Sequence, residues 1–196
     1  MLVIKVAPTQ NDIDLILSLN SAKEYLRVLD DDEDNTITSC MLSAISEAEG
    51  LTNRQFATAT YELYLSNFPR ENFKFPKNPI QEIISIEYMD LEGNYQVIDS
   101  SSYYLHKIYE VGHIAFETFP NVKVKNHKQA VKITFKSGFL DGTFPNDLRQ
   151  WLKVRVNTLF EYREELVTGA IVAETKHVDK ILDKYKIRSI WWELVL

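Results

Sequence analysis

The chain has 196 residues, 45% apolar, 26% charged and 12% aromatic, the composition of a folded protein able to bury a sizeable core. Its net charge of -6 and isoelectric point near 5.3 argue against the nucleic-acid backbone as a ligand, which calls for clustered Lys and Arg. One cysteine, Cys40, excludes an internal disulfide and fits a reducing compartment, while no apolar run or N-terminal leader points to a membrane span or secretion.

Hydrophobic period divides the chain into three zones. From about residue 20 to 56 it is helical. Ser21 with Glu24 three places on has the form of a capping box opening a short helix, "AKEYLRV". Five consecutive acids, Asp30 to Asp34, follow. Beyond them Ile37, Met41, Ile45, Ala48 and Leu51 trace one apolar stripe along "NTITSCMLSAISEAEGLTNR", which predicts an amphipathic helix of about five turns.

Between about 57 and 140 the period falls to two. Tyr61, Leu63 and Leu65 form one side of "TYELYL", Ile84, Ile86 and Tyr88 one side of "ISIEYM", and Val131, Ile133 and Phe135 one side of "VKITFKS". "DLEGNY", Asp90 to Tyr95, has hairpin-turn chemistry. "SYYLHK", "GHIAFE" and "NVKVK" predict further short strands, giving an antiparallel sheet.

The third zone opens on "FPNDLRQWLKVRVNTLFEYREEL". Pro145 suits a first helical position, and Asn146 and Asp147 suit the positive end of the helix dipole. Leu148, Leu152, Val156 and Leu159, with Trp151 and Phe160, form the buried stripe, whereas Arg149, Lys153, Asn157 and Glu161 face water. Gly169 ends this helix. "HVDKILDKYKI" predicts a last one, carrying Val178, Ile181, Leu182 and Tyr185. The final residues, Ile190, Trp191, Trp192, Leu194, Val195 and Leu196, would expose a large apolar surface unless something covers them. The expected architecture is α+β, one domain over 1–196. A helical core (20–56 and 145–187) carries an inserted antiparallel β-rich module (57–140), and 188–196 form an apolar tail.

Catalytic and metal chemistry find no foothold. Asp30, Asp32 and Asp34 have the spacing of the first EF-hand ligands. Asn35 then stands where Gly is needed and Met41 where a bidentate Glu is needed, so the acids read as the solvated, dipole-matched start of the second helix. His106, His113, His127 and His177 lack zinc-ligand spacing. Glu161, Glu164 and Glu165 surround Arg163 on a solvated face, with no sign of the burial that acid-base catalysis needs. Glycine-rich phosphate loops and nucleophile elbows are absent from the sequence. No catalytic residue, cofactor or metal is expected. The aromatics read as packing rather than as a stacking platform for single strands.

The order of parts resembles the head-to-tail connector family of tailed bacteriophages, also called head-completion or adaptor proteins. The resemblance rests on Leu26-Arg27-Val28 followed by the acids and Ile37, on Pro145, Asp147 and Leu148 before a long helix reaching Tyr162-Arg163-Glu164, and on Ile181, Leu182, Tyr185 and Lys186 near the end. It implies a non-enzymatic virion protein in the neck, assembled in the bacterial cytoplasm. Symmetric assembly would give a ring of about twelve copies under the portal protein. That ring would prolong the DNA channel without sequence-specific binding and carry a neck or tail completion protein. An acidic wall with Asp30, Asp32 and Asp34 facing the channel would let DNA slide past. The apolar tail would insert against the portal or a neighbouring subunit. Two other classes remain open on the sequence: a non-phage binding or regulatory module with a peptide-binding sheet, and a hydrolytic enzyme.

Overall fold

The computed structural model describes residues 1–70, 73–108, 111–162 and 176–187. They form a mixed α+β fold whose chain divides into two compact units, Met1–Thr9 with Ala57–Leu140, and Gln10–Phe56 with Asp141–Leu196. The first is built of strands and the second of helices.

In the β unit five strands, β1 (Leu2–Val6), β2 (Ala59–Leu65), β3 (Ile80–Met89), β4 (Tyr95–Val97) and β7 (Val131–Ser137), form a sheet. Its order is β1-β2-β7-β3-β4, antiparallel throughout. Strands β5 (Tyr103–Ile108) and β6 (Val111–Phe116) pair separately, so two sheets replace the single one expected. Period-two alternation puts Tyr61, Leu63, Ile133 and Phe135 on one face, all buried. Register completes the rows: Leu63 lies opposite Ile133 and Ile133 opposite Ile86, while Tyr61 stacks on Phe135 with ring centres 5.6 Å apart. Phe75 closes against Phe135 at 4.8 Å. Each such side chain contributes about 1.5–3 kcal/mol on full burial.

Strand β3 corrects the simple alternation. Its register shifts between Ile80 and Glu82 and again between Ile83 and Ser85, so Ile83 packs toward the core and Ile84 turns outward, 50% exposed. "NVKVK" forms no strand. Its Lys125 amide donates to the Met89 carbonyl at 3.0 Å, at the turn end of β3. The Asp90–Tyr95 turn is a hairpin as expected: the Asp90 carboxylate accepts the Gly93 and Asn94 amides at 2.9 and 2.8 Å, and Gly93 has φ 98°.

Two glycines allow close approach. At Gly138, with φ 136°, a Cβ would lie 2.6 Å from Thr58 Cα. At Gly112 it would meet Ile80 Cγ1 at 2.6 Å. Around Gly112 the Asn78 Oδ1 accepts the glycine amide at 2.7 Å, and the Phe75 amide donates to the glycine carbonyl at 3.0 Å, seating β6 on the core.

The helical unit holds α1 (Gln10–Ile16), α2 (Leu19–Leu26), α3 (Asp34–Thr52), α4 (Asn146–Glu161) and α5 (Lys176–Asp183). Its core joins Ile16, Leu17, Ile37, Met41, Leu148, Trp151 and Leu152. Four local expectations change. Ser18, not Ser21, caps α2, because its hydroxyl meets the Ser21 amide at 3.3 Å. The stripe of α3 ends on Thr52 instead of Leu51, which is 47% exposed. Thr52 tolerates burial because its hydroxyl donates to the Ala48 carbonyl at 2.6 Å. Pro145 is the N-cap of α4 rather than its first residue. Arg149 is no water-facing residue: its guanidinium donates to the Ile16 and Leu15 carbonyls at 3.0 and 3.2 Å, satisfying the end of α1. Helix α4 ends at Glu161, and Gly169, Arg163, Glu164 and Glu165 lie outside the described residues.

Candidate functional site

The acidic run sits in the joint between α2 and α3. Helix α2 stops at Arg27, whose φ of 60° turns the chain, and the Arg27 and Val28 amides donate back to the Glu24 and Lys23 carbonyls. Lys23 then reaches across the joint, its Nζ 2.6 Å from Asp31 Oδ1 and 2.6 Å from Asp34 Oδ1. Hydrogen bonds that Lys23 donates to Asp31 and then Asp34 raise its ammonium above its ordinary range, and the Lys23 contact holds Asp31 below its own.

The run is therefore split by role. Asp31, itself exposed, and half-buried Asp34 pair with Lys23 across the joint, whereas Asp30 and Asp32 are exposed and stand outside that pairing. Asp34 belongs to the first turn of α3, but Glu33 at the N-cap makes no side-chain cap. Lys23, seven residues upstream of the run, carries no mark in the sequence that sets it apart from a surface lysine. Leu29 beside the acids is 97% exposed.

A second constellation fixes the segment after α5. The Tyr185 hydroxyl donates to Asp147 Oδ1 at 2.6 Å, and Lys184 Nζ lies 3.6 Å from Asp147 Oδ2. The Arg54 guanidinium, 6% exposed, donates from Nε to the Tyr185 carbonyl and lies 5.9 Å from the centre of its ring. Asn53 Nδ2 donates to the Ile187 carbonyl at 3.0 Å, and the Ile187 amide to the Thr52 carbonyl at 2.9 Å. Glu49 completes the corner by accepting from Gln55 Nε2 and the Phe56 amide. Burial pushes the Asp147 carboxyl up, but Tyr185, the Leu148 amide and Lys184 outweigh it and leave it below the ordinary carboxylate range.

The end of α3, the start of α4 and residues 184–187 thus form one latch. It joins Asp147, in the Pro145-Asn146-Asp147-Leu148 stretch, to Lys184 and Tyr185, far on in the sequence. Arg54 and Asn53 were hidden within the apparent run of the second helix. The usable signal was Asn53, since asparagine favours the left-handed residue that ends a helix, and its φ here is 54°. The latch sets where Ile187 stands. The expected interface residues Ile190, Trp191, Trp192, Leu194, Val195 and Leu196 lie outside the described residues.

The outer face of the large sheet carries crossed charges. Lys5 lies 2.9 Å from Glu62, and Lys132 lies 2.7 Å from Glu87 and over the Tyr95 ring at 4.9 Å. The Tyr64 hydroxyl donates to Glu62 at 2.7 Å. That bond, with burial and the Glu62 charge, pushes the phenol up to about 12, while Tyr64 and then Lys5 hold Glu62 below its ordinary value. On the smaller sheet, strand register sets His106 opposite His113, a juxtaposition that sequence spacing does not reveal. Among the described residues no group of three or more His, Cys, Asp or Glu is placed to hold a metal ion, and no helix is long and apolar enough to cross a membrane.

No family model and no curated protein matches the chain. Solved structures do. A chain from the neck of an empty GTA particle computed with C6 symmetry superposes with a TM-score of 0.77 at 18% identity, covering 97% of each chain. One from the virion of the native gene transfer agent (GTA) particle gives 0.76 at 18%, and one from the neck of the native particle computed with C12 symmetry gives 0.74 at 16%, each again covering 97% of both chains. The chain therefore has the fold of these GTA-particle chains over nearly its whole length.

Proposed function

We propose that the protein is a non-enzymatic structural component of a virion neck, a head-to-tail connector. Copies form a ring under the portal protein, extend the DNA channel and offer a platform for neck or tail proteins. The observation that carries this reading is the end-to-end likeness to chains of GTA particles, two of them from necks computed with C6 and C12 symmetry. The connector resemblance of the sequence, found independently, supports it: the structure brings two of its separated pieces into contact through Asp147 and Tyr185.

In this reading the latch aims the apolar tail, Ile190 to Leu196, at the portal or a neighbouring copy. Asp30 and Asp32 remain the acids available to face the channel. Asp34 serves the joint instead, through Lys23. DNA passes without sequence-specific contact, consistent with a net charge of -6.

Sizing by light scattering, alone and with the portal protein encoded alongside, tests the proposal. A large ring or a stable complex is expected. A persistent monomer indifferent to portal overturns it, as would turnover of a substrate abolished by one carboxylate or histidine change.

A further inference from the structure

Strand β1 is an edge of the large sheet, and it is an unusual edge. Among the described residues it bonds β2 on one side only. Leu2 lies opposite Leu63 and Ile4 opposite Tyr61, so these two continue the inner, core-facing row. Yet Ile4 is 55% exposed and Val6, beyond the register shift, 53%. Natural edges are usually protected by charge, proline, bulges or a covering segment, because open backbone groups beside apolar side chains invite pairing. Lys5 and the shift between Ile4 and Val6 guard the far end of β1, but the inner row at Ile4 is left uncovered. Here the apolar layer stops one strand short.

The chain supplies a segment suited to that position. Ile187 is held by the latch, and nine residues follow it, spanning at most about 30 Å when extended. Their composition, "IWWELVL", favours a strand. Alternation would put Ile190, Trp192, Leu194 and Leu196 on one face and Trp191, Glu193 and Val195 on the other. With the first set extending the inner row of Leu2 and Ile4, Glu193 falls on the outer face, where Lys5 stands with Glu62. Length, pattern and charge agree on one register of faces.

We infer that residues 190–196 of one copy add as a sixth strand to the free edge of β1 in the neighbouring copy. The inference rests on the ring reading and deepens it. A cyclic ring needs two different surfaces on each subunit, one meeting the other at every interface. The tail and the β1 edge are such a pair, each apolar and each needing cover. Strand addition supplies backbone hydrogen bonds for association, and the alternating side chains supply specificity.

The test is disulfide trapping in the full chain with Cys40→Ser. Chains carrying Ile4→Cys are mixed with chains carrying Leu194→Cys, and Leu2→Cys with Leu196→Cys, on the same inner row, gives an independent pair. Oxidation is expected to join unlike chains, and the double variant Ile4→Cys/Leu194→Cys to give a ladder of linked multimers. Glu193→Lys, facing Lys5, is expected to cut linking severalfold, whereas Glu193→Gln leaves most of it. A double variant that closes only within its own chain overturns the inference. So does an assembled ring, seen by light scattering of the same samples, in which neither pair links; the connector reading then stands. Absence of links, of a ring and of a portal complex overturns both.

Discussion

The Tyr185 hydroxyl and the Asp147 carboxylate, 38 positions apart, meet at 2.6 Å and fix the chain after α5 against the start of α4. Tyr185→Phe removes that bond while keeping the ring, so urea unfolding is expected to show a loss of about 1 kcal/mol. Arg54→Ala should cost more, because Arg54 is buried and its side chain bonds the Tyr185 carbonyl as well as packing on the ring.

Asp147 also sets an acid limit. Its folded-state value is depressed, so the unfolded chain binds the proton more readily. Its contribution is then present above the unfolded carboxylate value, about pH 4, and is lost as pH falls through the folded value. Asp147→Asn is expected to flatten the stability profile in that acid window while leaving its slope near neutrality unchanged. Equilibrium unfolding at several pH values checks it.

Tyr64 should behave as a late-titrating phenol. With its pKa pushed up to about 12, its stabilising bond to Glu62 is fully present below the ordinary tyrosine value and lost as pH rises through the folded one. The phenolate absorbance that disappears in Tyr64→Phe should therefore belong to the last tyrosines to ionise. Glu62→Gln, which removes the charge that restrains the phenol, should bring that step to lower pH.

The apolar stripe of α3 can be tested position by position. Met41 is 1% exposed and Leu51 47%, so Met41→Ala is expected to destabilise by about 2–5 kcal/mol. Leu51→Ala should stay within about 0.5 kcal/mol of the parent. Equal effects would contradict the observed rotation of the stripe onto Thr52.

Gly138→Ala offers a backbone test. Left-handed φ and a Cβ 2.6 Å from Thr58 Cα leave the methyl no room, so a loss above about 1 kcal/mol is expected in chemical denaturation. Gly142→Ala, which has a positive φ of 72° but nothing within 4 Å, should cost less, the difference reporting the steric part.

Much of this protein was legible in one dimension. Period 3.6 located α3 and α4 and period two located β2, β3 and β7, because an amphipathic element writes its burial into its own spacing. The Asp90–Tyr95 turn was legible too, since its carboxylate and glycine act within six residues. What escaped were effects with no local period. The strand β1 precedes any recognisable pattern and exists because β2 accepts it at Leu63 and Tyr61. The bulges of β3 answer to β7, and they decide that Ile84 faces out. The acids showed the same division: adjacency in sequence suggested one cluster, but Lys23, placed by the turn at Arg27, pairs with Asp31 and Asp34 and leaves Asp30 and Asp32 outside the pairing.

The sequence by itself determined which segments coil, which extend and which faces are apolar, because those properties come from neighbouring side chains and backbone. Tertiary structure alone decided that Asp147 meets Tyr185, that Arg54 is buried against the chain after α5, and that the apolar row of the sheet ends open at Ile4. Such pairings depend on which distant elements win the same space, and no spacing along a single chain records that.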